Sequence, residues 1–158
     1  MLEAELQLVN GGADSLPALE SLLKGEAKNR FGVPYAQLGL PLQCALEVAR
    51  RLGSVAKPLE PYLLEQLRRG ELTAAGALGS LGTLEQASIT QLAVSLEGRS
   101  DLAMESAMAL LACGESSHPA VLEVTARSNS AARILERVRT YHDRVRASAS
   151  PDSSPPGV

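Results

Sequence analysis

Glycine recurs in this chain as punctuation. Gly25, Gly53, Gly70, Gly82, Gly98 and Gly114 each follow a stretch whose apolar residues repeat with helical period. Leu42, Leu46 and Ala49 form one such stripe, Leu59, Tyr62, Leu63 and Leu67 a second, and Ile89, Leu92, Ala93 and Leu96 a third. Each stripe gives a helix a single apolar face. A glycine just past a helix adopts the left-handed conformation that ends it. Gly53 and Gly82 lie 29 residues apart, Gly82 and Gly114 lie 32 apart, and Gly70 and Gly98 lie 28 apart. Gly53, Gly82 and Gly114 read as the ends of equivalent first helices, with Gly70 and Gly98 ending the second ones. One short helix pair cannot bury its own apolar face, so a period of this size predicts pairs that stack on their neighbours.

The residue types agree. Leucine and alanine dominate, aromatic residues are 3% of the chain, and tryptophan is absent. Leucine and alanine lose little side-chain entropy in a helix, whereas the β-branched and aromatic runs that mark strands are missing. The spacing predicts helices near 2–9, 15–24, 41–52, 58–69, 72–81, 84–97, 101–113, 118–127 and 130–147, in one domain of residues 1–147. Thr83 and Gln86 have the spacing of a capping box. Pro119 suits a first helical turn, and Asn129 or Ser130 suits the cap of the last helix. Residues 148–158, rich in serine and proline, read as a disordered tail.

The segment Ala45-Leu46-Glu47-Val48-Ala49-Arg50-Arg51-Leu52-Gly53, followed by Pro58-Leu59-Glu60-Pro61-Tyr62-Leu63-Leu64-Glu65-Gln66-Leu67, resembles the short HEAT-like units common in bacteria. The stretch from Thr73 to Gly82 is similar to a first helix of such a unit, and so is that from Ala107 to Gly114. The resemblance covers roughly residues 41–128. It implies an all-α fold, a right-handed α-α superhelix of short antiparallel pairs, and a curved scaffold that binds proteins. The period here is shorter than that of long HEAT units, about 40–47 residues. Some relatives act on bilin pigments or nucleic acid, so a function must be argued from the site.

Gly76, Gly79 and Gly82 are three apart. No strand precedes them, so they do not form a dinucleotide fingerprint. Their common side of a helix predicts close approach of a neighbouring helix.

Catalytic and metal-binding patterns are absent. There is no H-E-x-x-H, C-x-x-C or G-x-S-x-G. His142 and Asp143 are adjacent on a helix and point in different directions. Cys113 and His118 would need an orienting third group to act as nucleophile and base. Cys44 and Cys113 read as reduced core thiols. No cofactor or metal is expected. No apolar run approaches the ~20 residues of a membrane span. The start, Met1-Leu2-Glu3-Ala4-Glu5, is acidic where a secretion signal is basic, which predicts a cytoplasmic protein.

Charge is distributed in blocks. Residues 1–26, 28–69, 71–123 and 127–146 carry −4, +4, −6 and +4. A stack of repeats keeps sequence blocks apart, so the −6 block would become an acidic surface. Glu85, Glu97, Asp101, Glu105 and Glu123 would then receive a basic partner protein. In the longest internal connection, Arg30, Phe31 and Tyr35 would add an anchor of the residue types that dominate binding hot spots. The plainer alternative folds both rings inward.

In the last predicted helix, Ile134, Val138, Tyr141 and Val145 form a stripe that should dock on the stack, while Arg133, Arg137 and Arg144 share another face. Those arginines offer a nucleic-acid alternative. It is the weaker reading, because stacking aromatics are few and the net charge is −3. The expectation is a non-enzymatic protein-protein interaction module. Its forms include an immunity or antitoxin-type inhibitor of a basic toxin and an adaptor or assembly factor. The oligomeric state is left open.

Overall fold

A computed structural model describes residues 2–149, and its secondary structure is helical with no strand among them. The helices are α1 (Leu2–Gly11), α2 (Leu16–Leu23), α3 (Gly39–Leu52), α4 (Glu60–Arg68), α5 (Leu72–Gly79), α6 (Gln86–Ser95), α7 (Ser100–Ala112), α8 (Pro119–Arg127) and α9 (Asn129–Ala149). Each expected helix forms. Of the expected tail, Ser148 and Ala149 belong to α9, and residues 150–158 lie outside the described residues.

Gly53, Gly70, Gly82 and Gly114 take positive φ, as helix-ending glycines do. Gly98 does not. There α6 has already closed, and the Gly98 amide reaches back to the Ser95 carbonyl at 3.1 Å.

The helices pack in two rows. In one row α1 lies on α3, α3 on α5, α5 on α7 and α7 on α9; in the other α2 lies on α4, α4 on α6 and α6 on α8. The main contacts between rows fall at α2–α3, α4–α5, α6–α7 and α8–α9. The sequence expectation instead paired α3 with α4 and α5 with α6. Connection length explains the shift. Residues 69–71 and 96–99, and the single residue 128, join three of the four pairs that pack across the rows, whereas residues 24–38 join the fourth, α2 and α3. The longer links 53–59, 80–85 and 113–118 join those that do not. A very short link forces its two helices back on one another.

Leu46, Leu78, Leu92 and Leu110 are fully buried in a core that runs through both rows. Alanines 74, 75, 77, 103 and 107 fill the remaining space, which lets the backbones approach closely. At Gly79 an added Cβ would lie 2.8 Å from Ala109 Cα, so α5 and α7 meet there backbone to backbone. The close approach expected of the glycine series is realised at this position. Gly82 lies beyond the helix, in the turn that follows it.

Two caps differ from expectation. Thr83 and Gln86 form no capping box, because α6 starts after Glu85, whose amide is bound by Glu60 Oε1 at 2.7 Å. At α9 the cap is Ser128, whose Oγ accepts the Ala131 amide at 3.2 Å. Ser106 Oγ is buried with no hydrogen-bond partner among the described residues. A buried hydroxyl left unpaired costs about 1–3 kcal/mol. Ser106→Ala is therefore expected to raise the unfolding free energy by about 1 kcal/mol. Urea unfolding measures this, and a loss of stability would show that the hydroxyl has a partner.

Candidate functional site

A departure from a closed core lies along α9. This helix runs well past the segment that the stack covers. Ala131, Leu135 and Val138 are buried, and Ile134 is half-buried. One or two turns on, the same stripe is open: Tyr141 is 63% exposed and Val145 46% exposed. The docking stripe expected from sequence thus seats only its first half.

The open half walls a groove of about 280 Å³ on the row of odd-numbered helices. Val138, Tyr141 and Val145 of α9 form one side. Met108 of α7, itself 43% exposed, forms part of the other, with Met104 exposed one turn before it. Gly76, Gly79, Ala109 and Ala112 line the groove with little or no side chain. Its charged or ionisable lining residues, apart from Tyr141, are Arg50, Glu105 and His142. Beyond Gly76 the groove continues into a polar recess lined by Glu47, Arg50, Thr73 and Glu105. Arg50 is clamped there by Glu47, with Nη2–Oε1 at 2.7 Å and Nε–Oε2 at 2.9 Å. The Arg50 guanidinium draws the Glu47 carboxyl below its ordinary range, against the opposing effect of burial.

The acidic residues expected to form one surface are spread across several places. Glu97 is paired with Arg127 at 2.9 Å, and Glu123 lies 3.5 Å from another nitrogen of the same guanidinium. The hydrogen bond from Arg127 holds the Glu97 carboxyl below its ordinary range. Glu85 faces Lys57 at 3.9 Å, and Asp101 faces Arg99 at 3.4 Å. Glu105 lines the groove opposite Arg50. Bases remote in sequence thus stand among the acids, because the rows set helices some 30 residues apart side by side.

The loop after α2 separates its two rings. Asn29 Oδ1 accepts the amides of Phe31 and Val33 at 2.9 and 3.1 Å, which turns the chain tightly. Phe31 stands at the tip, 75% exposed, with the Arg30 guanidinium 4.7 Å above its ring. Tyr35 turns inward and lines an apolar recess with Leu8, Leu19, Leu22, Pro41 and Cys44. Burial pushes the Cys44 thiol up to about 11, with Glu5 adding to the shift, so it stays protonated at neutral pH.

Of the residues weighed for catalysis, His118 is engaged elsewhere. His118 Nδ1 accepts the Ala120 amide at 3.1 Å and caps α8, while Nε2 meets Gln86 Oε1 at 3.0 Å. Neither nitrogen is left for Cys113, whose half-buried thiol lies 3.4 Å from the Gly79 carbonyl and is pushed up by burial. His142 Nδ1 is 3.8 Å from Asp143 Oδ1, beyond hydrogen-bond reach. Among the described residues no three His, Cys, Asp or Glu side chains are grouped to hold a metal ion. No described helix is long and apolar enough to cross a membrane.

Arg133, Arg137 and Arg144 lie exposed on one side of α9, and no ion pair occupies them among the described residues. Sequence reasoning named this row and the Tyr141 stripe but did not join them to Met108 or Gly76. The available signal was Met104 and Met108, four apart and outside the buried stripe of α7. Comparison with protein families, with curated proteins and with solved structures finds no match for this chain.

Proposed function

We propose that this chain is a non-enzymatic protein-binding module, built as a right-handed HEAT-like α-solenoid, which receives its partner in the groove between α5, α7 and α9. The two-row packing supports the solenoid part of this reading, since each helix meets the next one of its own row. The binding part rests on one observation. Met108, Tyr141 and Val145 are large, apolar and exposed together around a small-residue floor. Clustered exposed apolar surface with a polar rim marks an interaction site, whereas single exposed residues do not. Methionine adapts its shape to a partner, and tyrosine is enriched among residues that dominate binding energy. The locally paired acids favour an adaptor or assembly factor over an inhibitor that covers a basic toxin.

The test is affinity capture from the source cells with the tagged chain and with its Met108→Glu/Tyr141→Glu variant. Both positions are exposed, so the variant should keep its helical circular dichroism. The expected result is a partner held by the parent chain and lost by the variant. Equal capture of the same proteins by both would place binding elsewhere.

A further inference from the structure

We propose that the groove between α5, α7 and α9 takes an amphipathic helix with an acidic flank, which lies against the arginine row of α9. This rests on the groove being the binding site.

The shape favours a helix. The described elements present no strand edge, so an extended peptide has no ladder to join. Val138, Tyr141 and Val145 span about 10 Å at the helical rise, the reach of two turns of a partner helix. Such a helix offers apolar residues at i, i+3, i+4 and i+7, the spacing that helix-binding grooves read. Gly76 and the alanines leave room for its ridge, and Met108 can fit around it.

The charge favours an acidic flank. Arg137 and Arg144 stand four residues before and three after Tyr141, so they are its neighbours on the helix surface. Arg133 continues the row one turn earlier. The arginine that lines the groove is already matched, Arg50 being held by Glu47. The row of Arg133, Arg137 and Arg144 lacks such partners among the described residues. Three guanidinium groups along one rim set a positive potential that selects carboxylates and repels a basic flank. Away from α9 the groove and its recess set Arg50 among Glu47 and Glu105 and carry no such bias. The partner's acidic side therefore lies on α9, with its apolar ridge on Met108, Tyr141 and Val145.

The experiment is a display library of helical peptides of about 20 residues. Their apolar positions keep the i, i+3, i+4, i+7 spacing, and their flanking positions vary among Glu, Gln and Lys. The library is selected on the full chain and depleted on the Met108→Glu/Tyr141→Glu variant. Retained peptides are expected to carry glutamate along one flank. Their affinity should fall at least about tenfold with Arg137→Glu/Arg144→Glu, and should also fall as salt is raised. Groove-dependent peptides with lysine or glutamine flanks would overturn the acidic assignment while leaving the groove as the site. No groove-dependent peptide at all would overturn both. An oligonucleotide that binds the parent chain, and is lost on changing Arg133, Arg137 and Arg144 to alanine but not on changing the groove, would assign the row to nucleic acid and overturn the proposal. Concentration-dependent mass abolished by the groove variant would make the occupant a second copy and overturn it equally.

Discussion

Gly79→Ala is expected to destabilise this protein by about 2 kcal/mol, the middle of the range for overpacking a tight core, while Gly76→Ala, one turn earlier on the same helix, is expected to be neutral or stabilising. Helix propensity alone predicts a gain at both positions, about 1 kcal/mol for replacing an interior glycine by alanine. The surroundings decide the sign. At position 79 the new Cβ would lie 2.8 Å from Ala109 Cα and 2.9 Å from its Cβ. Those atoms belong to the backbone of α7 and its shortest side chain, so no rotamer change relieves the clash. The α5–α7 contact would have to open. At position 76 the nearest atom is Arg50 Cδ at 3.3 Å, on a long side chain that is half exposed and can swing away. Chemical denaturation of the two variants measures the difference. Equal effects would mean that backbone propensity, and not the helix contact, governs this segment.

The two glycines also show what a sequence of this kind reveals. Their spacing placed both on one side of a helix, and close approach follows from that. It did not tell which glycine meets a backbone and which lies open beneath a flexible side chain. The helices themselves were legible because leucine and alanine stripes and terminal glycines are local signals, read within a few residues. The pairing of helices was not, because a glycine marks where a helix stops and not the side to which the chain turns. From α3 onward the length of each connection carried that information, and the uncertain helix ends blurred it. Caps failed for a related reason. Thr83 and Gln86 have the correct spacing, but Glu60 reaches the start of α6 from another helix. Nor did the charge blocks show that Arg127 and Lys57 come from outside the acidic stretch to meet Glu97, Glu123 and Glu85. The groove is likewise a tertiary property: Tyr141 and Val145 continue an ordinary buried stripe, and only the limit of the covering stack leaves them open.

Glu60→Gln is expected to lower stability by about 2 kcal/mol at neutral pH, and this loss should shrink as the solution is acidified. Glu60 opens α4 and is only 3% exposed. One carboxylate oxygen accepts the Glu85 amide at 2.7 Å. The other pairs with Lys57, whose ammonium also donates to the Thr83 carbonyl at 3.0 Å. A single buried charge thus holds the start of α4 to the turn before α6. Burial by itself would raise the Glu60 pKa; the Lys57 ammonium, the Glu85 amide and the Ser88 hydroxyl beside it outweigh burial, and the net shift is downward. The unfolded chain therefore binds this proton more readily than the folded one. The stabilisation is fully present above the unfolded value of about 4.3 and is lost as pH falls through the lower folded value. Glutamine copies the protonated shape at every pH, so parent and variant should converge in acid and separate as pH rises toward neutral. Breaking a fully buried pair costs about 3–5 kcal/mol; Lys57 is partly exposed and can recover hydration, which sets the smaller figure. Glu65→Gln provides the comparison, because Glu65 is half exposed, with Arg68 and Arg69 each 3.6 Å away, and should change stability by less than about 0.5 kcal/mol. Urea unfolding of the three proteins across the acid range reads the whole argument. A difference between parent and Glu60→Gln that stays constant with pH would show that the carboxylate acts through its shape and hydrogen bond, and that its charge contributes nothing.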